Sequence, residues 1–331
     1  MRIITIFSFV LISALLWFLL YDSALRNYSL IPALFAIQIS LNDFLEIYIF
    51  SSVGRRLFLL LIFPGTVMHE LSHYIAAKLL GCQVMDISLF RPDMKNGTLG
   101  EVRYRCKDDI LIPIKTLFIG IAPFIGCGLL LVALFNFYNS YSGNDLITVK
   151  ILDVESMDGI LKSLIKIWSL FYLQFKINFD PILIIVLYMQ ICLGLGVAPS
   201  SADFKQFLRS FMEHKIGALI LLLLLVSISL IPVIENSNGI EYGEFLTGYI
   251  TLALNYVILI SLISISLLLI SIPLIFIGIK FLEIGFMFKF LSVLILILGY
   301  LVLRDIRIAI LILISSILIF RYFGILTKIR K

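Results

Sequence analysis

A polytopic, all-α membrane protein is the fold class this sequence predicts, and three observations carry that expectation. Hydrophobic residues fill 61% of the 331 positions and charged residues only 14%, against about 45–50% and about 25% in a soluble domain. The mean hydropathy is +1.10. The apolar residues gather into runs of the length a bilayer demands, roughly 20 residues per helix. A water-soluble globule of this composition would lack the polar side chains to cover itself. The same figures exclude a disordered chain, a disulfide-built scaffold and a nucleic-acid-binding domain.

The runs give the elements in order. Residues 3–20, behind Arg2, read as a retained helix, because no small-x-small cleavage site follows. Residues 28–53 are apolar but carry Asp43 and Glu46, as an interfacial or re-entrant segment does. Further spans are expected at 57–80, 114–137, 181–199, 216–234, 248–279, 285–303 and 308–323. That makes about eight transmembrane helices in all. The long run around Pro273 calls for tilt or a kink. Between the fourth and fifth apolar segments, Lys162 to Lys176 mixes charge with Trp168, Phe171 and Tyr172, the composition of an interfacial helix.

Loop charges orient these spans. Arg91, Lys95, Arg103, Arg105 and Lys107 crowd one loop, Lys205, Arg209 and Lys215 another, and Lys328, Arg330 and Lys331 the tail. Residues 235–247 hold Glu235, Glu241 and Glu244 and no Lys or Arg. The positive-inside rule sets the first three in the cytoplasm with both termini, and the acidic loop outside; Arg55 and Arg56 fall on the opposing side. The net charge of +5 suits an anionic leaflet. Cys82, Cys106, Cys127 and Cys192 form no CxxC pair, so neither a disulfide framework nor a cysteine metal site is expected.

Chemistry concentrates in the run Phe63-Pro-Gly-Thr-Val-Met-His69-Glu70-Leu-Ser-His73. On a helix, His69 and His73 stand about 40° apart around the axis and about 6 Å apart along it. Two imidazoles so placed can share one Zn2+, while Glu70 can take a proton from the activated water. The chain has three histidines and two are here. Ionisable groups within an apolar span are costly and usually functional, the alternative being a polar pair bonded within a helix bundle. If the helix reaches the cytoplasmic surface near Gly81, the histidines lie about 12–18 Å below it.

At these residues the chain resembles the site-2 protease family of intramembrane zinc metalloproteases, as a divergent member. The resemblance covers roughly 57–215 and implies a third zinc ligand, an aspartate, from a later helix. Its counterpart here is Asp203 in Gly196-Val-Ala-Pro199-Ser-Ser-Ala-Asp203. The family's Asn-x-x-Pro and Leu-Asp-Gly are not both kept: the proline and aspartate are present, the Asn and Leu-Asp-Gly are not. Ser200 to Asp203 also reads as a capping box for the amphipathic stretch that follows, so ligand and cap both stand. Asp180 before Pro181 reads as a helix opening and His214 as a surface histidine. After the motif helix, Val84–Phe90, a turn at Asn96-Gly97 and the alternating Glu101–Cys106 spell a small β-hairpin. Its edge could hold an unwound substrate by strand addition, or be an ordinary cytoplasmic hairpin. Gly120-Ile-Ala-Pro123 and Gly126-Cys-Gly128 read as close helix packing with a helix break.

The organisation expected is a transmembrane and interfacial segment at 1–56, a catalytic membrane core at 57–215 and C-terminal helices at 216–331. What the resemblance implies is a zinc endopeptidase acting on transmembrane segments of other proteins, with His69, His73 and Asp203 holding zinc and Glu70 as base. Two rivals remain. The HtpX type of membrane zinc protease takes a Glu as third ligand, and Pro199 stands where its motif would set that residue. A transporter or regulatory membrane protein would keep zinc only structurally.

Overall fold

The computed structural model describes residues 2–20, 26–52, 55–92, 99–107, 109–143, 146–154, 156–177, 181–198, 201–221, 223, 227, 241–283, 286–303 and 310–319. The chain is mostly helical, with one small sheet. Its elements are α1 (Arg2–Leu19), α2 (Ile31–Ser52), α3 (Arg55–Leu79), β1 (Gln83–Ser88), β2 (Glu101–Arg105) and α4 (Ile112–Tyr141). Then come α5 (Met157–Ile177), α6 (Pro181–Val197), α7 (Ser201–Glu213), α8 at 215–221, α9 (Glu241–Glu283), α10 (Phe286–Leu303) and α11 (Ile310–Ile319).

Among the described residues four helical stretches are long and apolar enough to cross a membrane: Arg26–Leu45, Ile112–Tyr141, Ile182–Glu213 and Gly248–Phe281. Three of these fall on expected spans, and the other expected runs fall short of that length or hydropathy for reasons that differ by element. The first of the four lies in the segment expected to be interfacial; Asp43 sits at its end and Glu46 beyond it. In α1, α10 and α11 the described apolar cores are only 10–17 residues long. The motif polar groups and the flanking Arg55 and Arg56 dilute α3. Most of 216–234 lies outside the described residues.

The chain divides into two compact units. One comprises Met1–Phe44 with Arg56–Leu268, the other Leu45–Arg55 with Leu269–Lys331. In α9 the division falls at Leu269, the residue whose carbonyl loses its helical donor because Pro273 has no N–H.

Within the first unit, small residues let backbones meet. Among lipid-embedded helices the solvent supplies no hydrophobic drive, so close packing and hydrogen bonds carry association. A Cβ at Gly65 of α3 would overlap the Cys192 carbonyl of α6, and one at Gly196 would stand 2.7 Å from the Gly65 oxygen. Gly126 of α4 leaves no room beyond hydrogen against the Ser72 side chain, and Gly128 abuts Ile260 of α9. α4 runs antiparallel to α6: Tyr138 and Leu134 meet Leu183 and Val186 at one end, while Gly120 meets Asp203, past the end of α6, at the other. A chain of rings, Phe204 to Phe9 to Phe35 to Phe124, ties α7 through α1 and α2 to α4.

Prolines inside helices leave carbonyls to be satisfied from elsewhere. Pro64 cannot donate to Leu60, and the Tyr188 hydroxyl of α6 donates to that oxygen instead, at 2.6 Å. α5 is not among the four spanning stretches. Its Phe171 turns inward onto Phe135, and Gln174 Nε2 donates to Asn139 Oδ1 at 2.9 Å. Leu161, Ile165, Trp168 and Tyr172 line its exposed side.

β1 and β2 pair antiparallel with a bulge between Val84 and Asp86, and Asn96 and Gly97 lie outside the described residues. The register opposes Gln83 to Arg105, which brings the flanking Cys82 and Cys106 together as a disulfide. This corrects the expectation of no disulfide: the pairing arises from strand register, which spacing along the chain does not reveal. Closing a loop of this separation, 24 residues, restricts the unfolded chain by about 3–4 kcal/mol. Denatured without reductant, the protein should expose two of its four thiols to a maleimide, those of Cys127 and Cys192. All four should label after reduction, with mass spectrometry as the readout.

Candidate metal centre

Two turns of α3 build the histidine pair. Thr66 and Ser72 return their hydroxyls to the Ile62 and Met68 carbonyls at 3.0 and 2.7 Å, so neither leaves a polar group loose in an apolar span. His69 and His73, one turn apart, have ring centroids 4.9 Å apart and planes 78° apart. Each ring is fixed by its inner nitrogen. His69 Nδ1 donates to the Gly196 carbonyl at 2.9 Å, and His73 Nδ1 to the Ile119 carbonyl at 2.8 Å. A carbonyl oxygen only accepts, so both Nδ1 atoms carry protons, and in the neutral rings both Nε2 atoms hold a lone pair.

Both lone pairs point at Asp203. His69 Nε2 lies 3.6 Å from Oδ2 and His73 Nε2 lies 3.3 Å from Oδ1. Asp203 stands in the first turn of α7, where the backbone N–H end of the helix favours negative charge. Its cap alternative cannot be followed to the partner, since Pro199 and Ser200 lie outside the described residues. The carboxylate is oriented toward the imidazoles.

A carboxylate oxygen facing each ring nitrogen calls for a positive charge between them, a metal ion or a proton on Nε2. The three donor atoms fall within 4.8 Å of one another. A tetrahedral zinc with bonds of about 2.0–2.1 Å has ligand-to-ligand edges of about 3.3–3.4 Å. The 3.3 and 3.6 Å contacts run to different oxygens of Asp203, so they bracket a shared cation rather than trace the edges of one tetrahedron. Two imidazoles and a carboxylate are a borderline-soft donor set, which suits zinc and its neighbours better than magnesium or calcium. The residues thus fit a divalent transition metal, and His69, His73 and Asp203 would hold it.

Glu70 follows the first histidine and faces the sheet. A Cβ at Gly100 would stand 2.6 Å from Glu70 Cγ and 2.9 Å from the Ser88 and Leu89 carbonyl oxygens. Glycine at 100 is therefore what lets the hairpin close over the glutamate. Tyr104 of β2 packs with Ala77, Cys82 and Ile119. Burial, and secondarily the Asp203 charge, pushes its phenol well above the ordinary range. On the solvent face of β2 the Arg103 guanidinium beside Glu101 holds that carboxyl below its usual value.

The sequence-derived candidates sort cleanly. His69, His73 and Asp203 come together, with Glu70 alongside. His214 sits between α7 and α8, its backbone bonded to Ser210 and Ala218, away from the three. Asp180 lies outside the described residues. Missed by sequence reasoning were Gly100 and the carbonyls of Ile119 and Gly196; the helix break at Pro123 was the one available signal for Ile119. Comparison with models of known protein families, with characterised proteins and with solved structures yields no match.

Purified protein is expected to bind about one zinc or cobalt ion per chain, measured by elemental analysis after dialysis. His69→Ala and His73→Ala should abolish binding. Asp203→Ala should weaken it by more than the ~10–100-fold typical of losing an outer-shell partner.

Proposed function

We propose that this chain is an intramembrane zinc metalloendopeptidase, hydrolysing peptide bonds in or near transmembrane segments of other membrane proteins. The single observation that carries the reading is the convergence of His69, His73 and Asp203 from α3 and α7, with the glutamate of HExxH alongside. A structural zinc site in a transporter needs no glutamate there. The third ligand is an aspartate, which favours a site-2-type centre over the HtpX type, and the small hairpin after α3 agrees with the same resemblance.

A bound Zn2+ would supply Lewis acidity, making water nucleophilic at neutral pH and polarising the scissile carbonyl. Glu70 accepts the proton of the attacking water and returns it to the departing amine. The Gly196 and Ile119 carbonyls hold the two rings with Nε2 toward Asp203, where a bound zinc would take the place of a proton. Substrate helices must unwind before their backbone carbonyls are open to attack. The full arrangement of about eight spans, with the centre toward the cytoplasmic side and both termini inside, belongs to this proposal.

Glu70→Gln should keep the metal but lower cleavage of a reconstituted membrane substrate by ~10²–10⁴-fold. Gel-based single-turnover assays alongside metal analysis read both quantities. Undiminished cleavage in that variant would remove Glu70 from the chemistry.

A further inference from the structure

We propose that Pro123 is a positioning residue of the metal centre: by lacking an N–H it frees the Ile119 carbonyl to accept from His73. In α4, which runs unbroken from Ile112 to Tyr141, residue 123 is the helical donor to the oxygen of residue 119. Proline has no proton to give, and its ring presses on that same carbonyl, tilting it out of the helix. The freed oxygen is buried, and a buried carbonyl without a partner is costly. The partner is His73 Nδ1, at 2.8 Å, from the neighbouring helix. Ile119, Pro123 and His73 are all buried, so water does not compete for either group.

The same physics recurs in the molecule with a different donor, at Pro64, Leu60 and Tyr188. At Pro123 the recipient is a ring whose other nitrogen faces Asp203 at 3.3 Å. In the neutral ring, holding the proton on Nδ1 leaves the lone pair on Nε2, the nitrogen that faces the carboxylate. This inference rests on the metal-binding reading of the centre, but the tautomer can be read without metal or cleavage.

Three measurements on full-length, detergent-purified protein test it. In the metal-free wild type, 15N spectra of the three histidines should show His73 protonated at Nδ1. Pro123→Ala restores the N–H, which competes for the Ile119 oxygen. The Nε2-protonated form of His73 should then grow, and cobalt affinity, by competition with a chromophoric chelator, should fall ~10–100-fold. Replacing Pro123 by lactic acid, an ester unit with alanine's methyl and no N–H, should return both readouts to wild type. Pro273→Ala, which restores a helix bond in α9, should change neither.

A wild-type His73 with no proton on Nδ1 would overturn the proposal, whether or not the variants fold. So would equal behaviour of the alanine and lactic acid forms, which would assign the effect to the ring rather than to the missing proton. If the wild type takes up no cobalt, it is the metal reading that fails, and the tautomer measurements still judge Pro123.

Discussion

Each motif imidazole gives its Nδ1 proton to a carbonyl that its own helix does not use. Everything at the centre depends on this. Ile119 is released by the proline one turn later, and Gly196 lies in the last turn of α6, where carbonyls have no helical donor. Both oxygens are backbone atoms, set by how helices begin, end and break rather than by any side chain. They orient the rings, the rings expose their lone pairs, and Asp203 closes the triangle. A shift of α4 or α6 along α3 would turn a ligand nitrogen away without altering a single motif residue.

That registry is held by small residues. Gly65 against Cys192 and Gly196, and Gly126 against Ser72, bring the three helices to backbone contact. Side chains of ordinary size at those points would hold the axes too far apart for His69 Nδ1 to reach a carbonyl of α6. In lipid, where apolar burial earns no special advantage, such contacts and the hydrogen bonds they permit are the available stabilisation. The hairpin plays a matching part on the far side. Gly100 lets it lie against Glu70, and Cys82–Cys106 fastens its open end to the close of α3.

Much of this was legible in the residues themselves. HExxH announces its chemistry because imidazole and carboxylate are scarce in an apolar run, whereas Asp203, opening an amphipathic stretch, was reached only through the resemblance. The hairpin was visible in the strict alternation from Glu101 to Cys106. The hidden features have a common cause: they belong to pairs whose members carry no mark in sequence. Ile119 is an ordinary isoleucine; only its carbonyl matters. Cys82 and Cys106 are joined by register, not spacing. Pro123 was read as a helix break, but α4 continues through it; what it interrupts is one hydrogen bond, and the freed acceptor is offered to a neighbour. The described residues show four spans because hydropathy runs are not equal: the polar motif thins α3, and the described cores of α1, α10 and α11 are short.

The carbonyl that steadies His69 is 127 residues further along the chain. At a synthesis rate of about 5–20 residues per second, the ribosome needs about 6–25 s to make that stretch. During this interval the newborn polypeptide displays its histidines and glutamate with neither the bracing oxygen of α6 nor the acid of α7. The cation site is thereby incomplete until the later helices dock. A fold that divides its working parts between distant stretches of the message carries its own delay.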